Sequence, residues 1–398
     1  MKNKKVWYIS KYALSPDQGG PSRQFLFSKY FGSKGYKTCL ISSNSNGFSF
    51  LKFKGAYKLS EYLNFKHYIL NGTKINLGFN IRRIYSWIEF EYRLIKFLRN
   101  KNISKNDVVI VSSLSLLTFL SGIYLKRKHG IKLIAEVRDI WPQTLIDFKN
   151  FSKYNPVILI LSAIEKSAYK KADFIVGTMG NLGEHIKITA AGNEQKFRYI
   201  PMGFDESVLE EDYDNSLVHT DEFIVGYAGT IGLANKIDLI LESAILLRNN
   251  KKIRFKLLGD GVLKDRYMVK YGSLPNVEFL PKVEKNKVGK FLSKCSILVN
   301  PWEDNALYKY GISPNKWIDY MYAAKPIIVP FNGFKNIINE ARCGEFIETN
   351  NVNLLANTIV KYAKMSSEEL DKIGKNGKRY LEEKLNYDVL TNRYIELF

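Results

Sequence analysis

Three glycine-containing segments carry residue types that could hold a phosphate group. Gly19-Gly20 follows the first apolar run of the chain, and Gly229–Gly232 and Gly259–Gly261 follow two apolar runs in its second half. Glycine lets backbone N–H groups approach an anion closely. None of the three completes a Gly-x-Gly-x-x-Gly or P-loop motif. Each segment alone is therefore more typical of a tight turn than of a binding site.

The most informative segment is 308–330, which reads YKYGISPNKWIDYMYAAKPIIVP. Ser313 and Pro314 are predicted to open a helix with Lys316 in its first turn and Asp319 one turn later. Free helix N–H groups, a hydroxyl and an ammonium together suit a diphosphate, and a carboxylate can accept two ribose hydroxyls. The alternative interpretation is that Ser313 and Pro314 only start the helix and that Lys316 is solvated.

The elements that must position these groups alternate between short strands and helices. Continuous apolar runs such as Asp107–Ser112, each followed by a helical pattern, indicate parallel sheets that are covered on both faces. An acidic, irregular segment, Glu206–Glu222, is the best linker candidate, and the strand–helix rhythm restarts after it. The sequence predicts two doubly wound, Rossmann-like α/β domains, 1–205 and 206–380, with a final helix in 381–398 that packs back on the first domain.

Composition narrows the compartment. With 398 residues and 45% hydrophobic content, the chain can fill two cores. Its three cysteines (Cys39, Cys295 and Cys343) are odd in number and form no Cys-x-x-Cys pair. This pattern argues against a disulfide framework or a zinc site and fits a reducing compartment. We expect neither a signal peptide nor a membrane-spanning segment, and therefore a cytoplasmic location.

The net charge of +21 is unevenly distributed. Residues 50–101 hold eleven Lys and Arg against three Glu, with aromatic side chains such as Tyr85 and Trp87 interleaved. This combination suits anionic lipid headgroups, and it could also suit single-stranded nucleic acid. A third interpretation is an ordinary solvated face with half-buried aromatics. We expect a peripheral membrane protein that docks on the inner leaflet through about residues 48–101.

Six segments, in order along the chain, resemble the motifs of the retaining glycosyltransferases of family 4. SPNKWIDYM at 313–321 resembles the nucleotide-sugar signature of that family's bacterial surface-polysaccharide branch. The other five are GGPSR at 19–23, EVRDIWP at 136–142, IPMGFD at 200–205, YAGTIG at 227–232 and LLGDG at 257–261. The match extends over nearly the whole chain, and six ordered motifs are far more specific than any one of them.

The resemblance implies a GT-B fold, in which two Rossmann-like domains face each other across a cleft. It implies retaining, metal-independent transfer of a sugar from a nucleoside-diphosphate donor, UDP-linked, with an N-acetylhexosamine as one candidate sugar. The acceptor would be a polyprenyl-diphosphate-linked saccharide in O-antigen or capsule synthesis. No cofactor and no protein nucleophile is needed, because catalysis would rest on positioning and on stabilising the leaving diphosphate.

The resemblance also implies roles for individual residues. Arg138, Asp139 and Lys316 are the predicted catalytic residues. The predicted substrate-binding positions lie in the glycine loops, at the strand end before Arg138 and at the start of the diphosphate helix: Gly19, Gly20, Glu136, Gly229, Thr230, Gly259, Val283, Gly311, Ile312, Ser313, Asn315 and Asp319.

The chain departs from the family pattern at the donor site. Gly311 and Asp319 stand where the family carries two glutamates. Thr230 and Asn235 lie near the positions of its usual Arg and Lys. Lys316 or Lys309 would then supply the missing positive charge.

Two other functions are alternatives. A UDP-hexosamine 2-epimerase would bind a similar ligand but needs several acid/base residues, and the four histidines (His67, His129, His185 and His219) show neither triad nor metal spacing. A basic nucleic-acid-binding protein would show steep salt dependence and no affinity for sugar nucleotides. We expect no nucleic-acid partner.

Overall fold

The computed structural model describes residues 4–47, 49–75, 81–208 and 222–398. The chain divides into two compact units: unit 1 comprises Met1–Pro201 and Tyr387–Phe398, and unit 2 comprises Met202–Asn386. Residues 209–221 of the predicted linker, which include His219, lie outside the described residues, as do Phe48 and Phe79.

Unit 1 is built on an eight-stranded sheet. Its strands are β1 (Lys5–Ile9), β2 (Lys37–Ser43), β3 (Tyr57–Glu61), β4 (Phe65–Leu70), β5 (Val108–Ser112), β6 (Lys132–Val137), β7 (Phe174–Gly177) and β8 (Phe197–Tyr199). The strand order is β3-β4-β2-β1-β5-β6-β7-β8, and every pairing is parallel except that of β3 with β4. The order reverses between β1 and β5, where a doubly wound sheet opens a crevice at its carboxyl edge.

The described part of unit 1 contains seven α-helices. They are α1 (Arg23–Ser33), α2 (Ile81–Arg99), α3 (Leu117–His129), α4 (Gln143–Lys149), α5 (Pro156–Lys171), α6 (Leu182–Thr189) and α14 (Tyr387–Ile395). The central strands are apolar because helices cover them: Val108, Val109, Ile110 and Val111 of β5 are all fully buried.

Unit 2 is built on a six-stranded sheet in which every pairing is parallel. Its strands are β9 (Phe223–Ala228), β10 (Ile253–Leu258), β11 (Val277–Leu280), β12 (Ile297–Val299), β13 (Ile327–Pro330) and β14 (Gly344–Ile347). The order is β11-β10-β9-β12-β13-β14, which is the order of a dinucleotide-binding Rossmann sheet, with its reversal between β9 and β12.

The helices of unit 2 follow its strands in turn. They are α7 (Ile237–Leu246), α8 (Lys264–Tyr271), α9 (Lys285–Ser293), α10 (Asn315–Tyr322), α11 (Ile337–Ala341), α12 (Val352–Ala363) and α13 (Ser367–Tyr380), which continues into a π-helical turn at Leu381–Leu385. Two α/β units, each built on a mostly parallel sheet, confirm the fold class that the sequence predicts.

Strands at the sheet edges show no clear signal in the sequence. β3 is an exposed edge strand and β14 an edge strand that is only half-buried, so neither shows the long apolar run typical of a central parallel strand. β4 lies within the basic and aromatic segment, where the adjacent residues Lys66 and His67 interrupt the apolar pattern.

Candidate functional site

Helix α10 presents two different faces. Trp317, Tyr320 and Met321 are buried in the core of unit 2, which fixes the helix against the sheet. Lys316 and Asp319, three residues apart, lie together on another side of the helix. Pro314 at the N-cap offers no side-chain hydrogen bond to the first turn. The helix therefore begins with uncapped N–H groups next to a cation.

The Lys316 ammonium is held against the loop after β9. Its Nζ donates to the Tyr227 hydroxyl at 3.0 Å and to Asn235 Oδ1 at 2.6 Å. It also lies over the rings of Tyr227 and Trp302, at 4.8 and 5.8 Å from their centroids. Burial lowers the pKa of Lys316 to about 7. Among the described residues it has no carboxylate partner, so the site holds a positive charge that an anionic ligand could neutralise.

Asp319 lies one turn further along α10. Burial raises the pKa of its carboxyl to about 6, and the charge of Lys285 opposes this rise. Within the described part of the chain, no donor forms a hydrogen bond with the carboxylate. A half-buried carboxylate that is ionised at neutral pH and has unused lone pairs can accept hydroxyl groups from a ligand.

Two buried polar groups near α10 have no protein partner in the part of the chain that the structure describes. Trp302 Nε1 and Trp317 Nε1 both donate to Asn300 Oδ1, at 3.2 and 3.0 Å. These two indole donors fix the orientation of the amide, so Asn300 Nδ2 points away from them and is left without an acceptor. The Ser313 hydroxyl is likewise buried and unpaired. Unsatisfied buried donors are uncommon and call for a ligand or water.

The two glycine loops of unit 2 pack against each other at the carboxyl edge of the sheet. The N–H of Gly229 donates to Leu258 O at 2.9 Å, and that of Ile231 donates to Asp260 O at 2.9 Å. A Cβ added at Gly259, whose φ is +148°, would lie 1.9 Å from Gly229 O. The close approach of the two backbones therefore requires glycine at position 259. At Gly229 the obstacle is a side chain, because an added Cβ would lie 2.7 Å from Lys316 Cε.

A single hydroxyl ties α10 to the strand end. Tyr320 OH accepts from Ala228 N at 2.9 Å and donates to Ala228 O at 3.1 Å. Because Ala228 is the last residue of β9, the helix start and the first glycine loop are held in a fixed relation. The sequence gives no specific signal for Tyr320, Tyr227 or Asn300, apart from their places at strand ends and on the buried face of α10.

The other positions predicted in unit 2 surround this region. Gly311 has a φ of +99° and ends a 3₁₀ turn, and the side chain of Ile312 is buried next to it. Asn315 and Thr230 are exposed, and Val283 packs half-buried on the core. Lys309 is exposed and lies over the ring of Tyr310 at 5.0 Å, away from the contacts that hold Lys316.

Glu136 in unit 1 is part of an internal network. Its carboxylate, fully buried, accepts from Arg23 Nε at 2.9 Å, Tyr8 OH at 2.8 Å and Tyr394 OH at 2.8 Å. Burial opposes ionisation, but the Arg23 guanidinium outweighs it and holds the pKa of Glu136 below its usual range. A carboxylate with these three donors and no exposed surface is not available to a substrate, which corrects its predicted role.

The same network explains how α14 belongs to unit 1. Arg23 also donates to the backbone oxygens of Ile200 and Pro201. Tyr394 of α14 contacts Glu136 through its hydroxyl and packs edge-on against Phe27 of α1, with ring centroids 4.8 Å apart. Arg23 and Glu136 therefore fasten the last helix and the end of the first chain segment to the sheet.

Arg138 and Asp139 follow β6 at the carboxyl edge of the unit 1 sheet. The N–H of Arg138 donates to Ser113 Oγ at 2.9 Å, next to the end of β5, and the Asp139 side chain is exposed. Gly19 and Gly20 form a turn with φ of +107° and +115°, and no atom lies within 4 Å of the Cβ positions. These residues share one sheet edge, where a ligand of a doubly wound sheet is expected.

A cavity of about 490 Å³ opens at the opposite, amino edge of the unit 2 sheet. Its lining includes Lys252, Lys325, Cys295 and Asp371. It contains neither a glycine loop nor the start of α10, so it is separate from the predicted donor residues. The structure shows no group of three or more His, Cys, Asp and Glu placed to hold a metal ion within the residues it describes.

Residues 222–364 match the profile of the family described as glycosyl transferases group 1. An uncharacterized glycosyltransferase of Methanocaldococcus jannaschii is 32% identical to the chain over 131 residues, which is 32% of this chain and 35% of that protein. The chain therefore spans about a third of the curated relative that it matches. Both matches cover less than half of the chain.

Similar solved structures cover the chain almost completely. Sucrose-phosphate synthase from Thermosynechococcus elongatus superposes with a TM-score of 0.75 at 13% identity, covering 99% of this chain and 98% of that one. The Anabaena protein HepE in complex with UDP superposes with a TM-score of 0.65 at 12% identity, covering 98% of each chain. These proteins have the GT-B fold, and the comparison shows that this chain shares it.

Proposed function

We propose that the chain is a glycosyltransferase that uses a nucleoside-diphosphate sugar as donor and binds it at the start of α10. The single observation that carries this proposal is the Lys316 ammonium: it is largely buried, it lies beside an uncapped helix start, and it has no carboxylate partner among the described residues. Ser313 Oγ and Asn300 Nδ2 are further unpaired donors of the same region. An anion with several acceptor oxygens would satisfy all three.

The position of Lys316 also explains how the chain could bind a diphosphate without the family's usual cations in the loop after β9. Asn235 lies near the place where the family resemblance puts a lysine, and its side-chain oxygen accepts from Lys316 Nζ. The family pattern places a lysine in the loop after β9, whereas in this chain Lys316 of α10 brings an ammonium group to the same loop. This contact favours Lys316 over Lys309 as the cation that binds the diphosphate.

The donor's nucleoside would lie beside Asp319. One turn of helix separates Asp319 from Lys316, and a ribose and its diphosphate are joined over a similar distance. The unused carboxylate lone pairs would accept two ribose hydroxyls. We propose UDP as the nucleotide, supported by the UDP named in the complex of the HepE neighbour. The sugar, for which an N-acetylhexosamine is one candidate, is part of the same proposal.

The reaction that we propose is departure of the diphosphate with retention of configuration at the sugar. The bond between the sugar's anomeric carbon and the phosphate oxygen breaks, and the electron pair leaves with the diphosphate. Lys316, the first-turn N–H groups of α10 and the glycine loops stabilise that charge. The acceptor hydroxyl bonds to the same face of the sugar, and its proton passes to the departing phosphate oxygen. Arg138 and Asp139 are proposed to hold the acceptor side.

The acceptor proposed is a polyprenyl-diphosphate-linked saccharide of O-antigen or capsule synthesis, used at the inner face of the cell membrane. The basic charge of the chain, +21 overall, supports an anionic, membrane-held acceptor. Within the described residues, no helix has the length and apolar character that crossing a membrane would take.

A thermal-shift panel of UDP-, GDP- and dTDP-sugars tests the donor proposal. We expect one UDP-sugar to raise the melting temperature of the wild type and to raise that of Lys316→Met far less.

NMR of the product's anomeric carbon then reports retention or inversion, and release of a free epimerised sugar would indicate an epimerase. Activity is compared in EDTA and in Mg²⁺, because the chain contains an Asp-x-Asp triplet, Asp212-Tyr213-Asp214, outside the described residues. Absence of a shift with every sugar nucleotide would refute the proposal.

A further inference from the structure

The outer side of α2 carries a row of solvent-exposed apolar side chains, called here the stripe. Tyr85, Ile88 and Tyr92 are 57%, 58% and 68% exposed, and Ile81 at the start of the helix is exposed as well. Their spacing of three and four residues places them on one side of the helix. Trp87 and Phe90 lie on the opposite side and are buried, and Trp87 Nε1 donates to Tyr12 OH at 2.6 Å. Of the two aromatic side chains named in the sequence analysis, Trp87 is therefore not available to a membrane surface, whereas Tyr85 is accessible.

Two neighbouring helices also expose large apolar side chains. α2 packs on α3, and α3 packs on α5, all within unit 1. Large apolar side chains are exposed on both: Leu120 and Tyr124 on α3, and Leu159 and Ile160 on α5. Single exposed apolar residues are ordinary, but a group that spans three adjacent helices marks an interaction surface. We call this group the helical face of unit 1.

The charges around this face have one sign. The sequence of α3 contains no acidic residue, and the single acid of α5, Glu165, is buried against His185 and Tyr169. The two acids of α2 are occupied: Glu89 pairs with Arg93, and Glu91 accepts from Thr118 and Ser121. Seven exposed cations on the three helices have no carboxylate partner in the described part of the chain: Arg82, Lys96, Arg99, Arg127, Lys128, Lys166 and Lys170.

We propose that the helical face of unit 1 docks on an anionic lipid bilayer, with the apolar side chains at headgroup depth and the surrounding cations on the lipid phosphates. Tyr residues with exposed rings and aliphatic residues between cations are the side chains that suit such an interface. The surface lies partly outside the segment that the sequence indicates, because α3 and α5 contribute to it and β3 and β4 do not. It rests on the proposed function only in that the acceptor is held by a lipid.

The test compares the full-length protein with Ile88→Glu/Tyr92→Glu, a double substitution at exposed positions. Co-sedimentation is measured with vesicles of phosphatidylglycerol and phosphatidylcholine in equal parts, and with phosphatidylcholine alone, in about 0.1 M salt. We expect the wild type to bind the anionic vesicles at least tenfold more tightly, and the double variant to lose at least tenfold of that affinity. Met268→Glu/Val269→Glu, which adds the same charge at exposed positions of α8 in unit 2, is the matched control and should bind like the wild type.

Three results of the vesicle assay would overturn the proposal: equal binding of the wild type to both vesicles, unchanged binding of Ile88→Glu/Tyr92→Glu, or equal losses in both double variants. Sedimentation velocity without lipid is run in parallel, because a dimer that Ile88→Glu/Tyr92→Glu dissociates would make this face a contact between copies instead. UDP-sugar affinity is measured on the same samples. Loss of vesicle binding with unchanged UDP-sugar affinity separates this surface from the donor site, and failure to bind any UDP-sugar would refute the proposed function alone.

Discussion

Replacing Lys316 with methionine should stabilise the free protein and weaken donor binding. Methionine keeps most of the side-chain length but removes the ammonium. In the free protein this charge is buried away from water, which disfavours it. In the complex it would face the diphosphate. A residue with a purely structural role would not give opposite signs for these two quantities.

The stability gain follows from the lowered pKa. Burial brings the pKa of Lys316 from 10.5 to about 7, which means that the fold disfavours the charged form by about 4 to 5 kcal/mol. The unfolded chain binds more protons than the folded chain between these two values, so wild-type stability rises with pH across that window. The variant loses the hydrogen bonds to Tyr227 and Asn235, about 1 kcal/mol each. We expect a net gain of about 2 kcal/mol near neutral pH that shrinks towards the upper end of the window.

The loss of binding follows from the charged hydrogen bond to the donor. Such bonds contribute about 1.5 to 3 kcal/mol, so UDP-sugar affinity should fall by about one to two orders of magnitude. The matched control is Lys309→Met, because Lys309 is exposed and should change both quantities little.

Thermal melts of the free proteins and calorimetric titration with a UDP-sugar measure the two effects. A gain of about 2 kcal/mol corresponds to about 4 to 8 °C for a unit of this size. If Lys316→Met destabilised the free protein and left the affinity for UDP-sugars unchanged, the proposal that the buried Lys316 ammonium binds the diphosphate would be refuted.

Three further predictions address other parts of the account. UDP-sugar affinity should be greatest between about pH 6 and about pH 7, because Asp319 becomes protonated below the first value and Lys316 loses its proton above the second. Calorimetric titrations below, within and above this window measure the affinity, and the same affinity at all three would contradict these roles. Gly259→Ala should destabilise unit 2 by several kcal/mol, because its Cβ would lie 1.9 Å from Gly229 O, whereas Gly232→Ala, with its nearest atom at 3.5 Å, should be tolerated in the same thermal melts. Tyr394→Phe should cost unit 1 about 1.5 to 3 kcal/mol by removing a buried hydrogen bond to Glu136, measured by urea unfolding; an unchanged midpoint would show that Arg23 and Tyr8 suffice.

The sequence predicts the fold well because its two sheets are mostly parallel and their central strands are covered on both faces. Strands such as β5 and β9 are then continuous apolar runs that need little context to identify. Edge strands lack this signal: β3 is exposed along most of its length and pairs antiparallel with β4. The packing of a final helix on the first domain is part of the sequence prediction, but the contacts that hold α14 there, such as that of Tyr394 with Glu136, join residues far apart in sequence, and a local pattern does not reveal them.

The candidate site could be predicted only in part, for a similar reason. The chemistry of Ser313, Lys316 and Asp319 is visible in residue types and spacing. The groups that orient them are not, because Tyr227, Asn300 and Tyr320 act through contacts across the sheet and the helix. Glu136 shows the converse: a carboxylate at a strand end matches a ligand position by motif, but its three donors are residues of the protein itself.

A crystal structure of the protein with a UDP-sugar tests the central claim most directly. We predict that the diphosphate lies at the start of α10 within hydrogen-bonding distance of Lys316 Nζ, with the ribose hydroxyls on the Asp319 carboxylate. We also predict that Asn300 Nδ2 and Ser313 Oγ, which the described protein residues leave unpaired, acquire partners from the ligand or from water that it orders. A nucleotide bound elsewhere, such as in the lysine-lined cavity at the amino edge of the unit 2 sheet, would contradict the account.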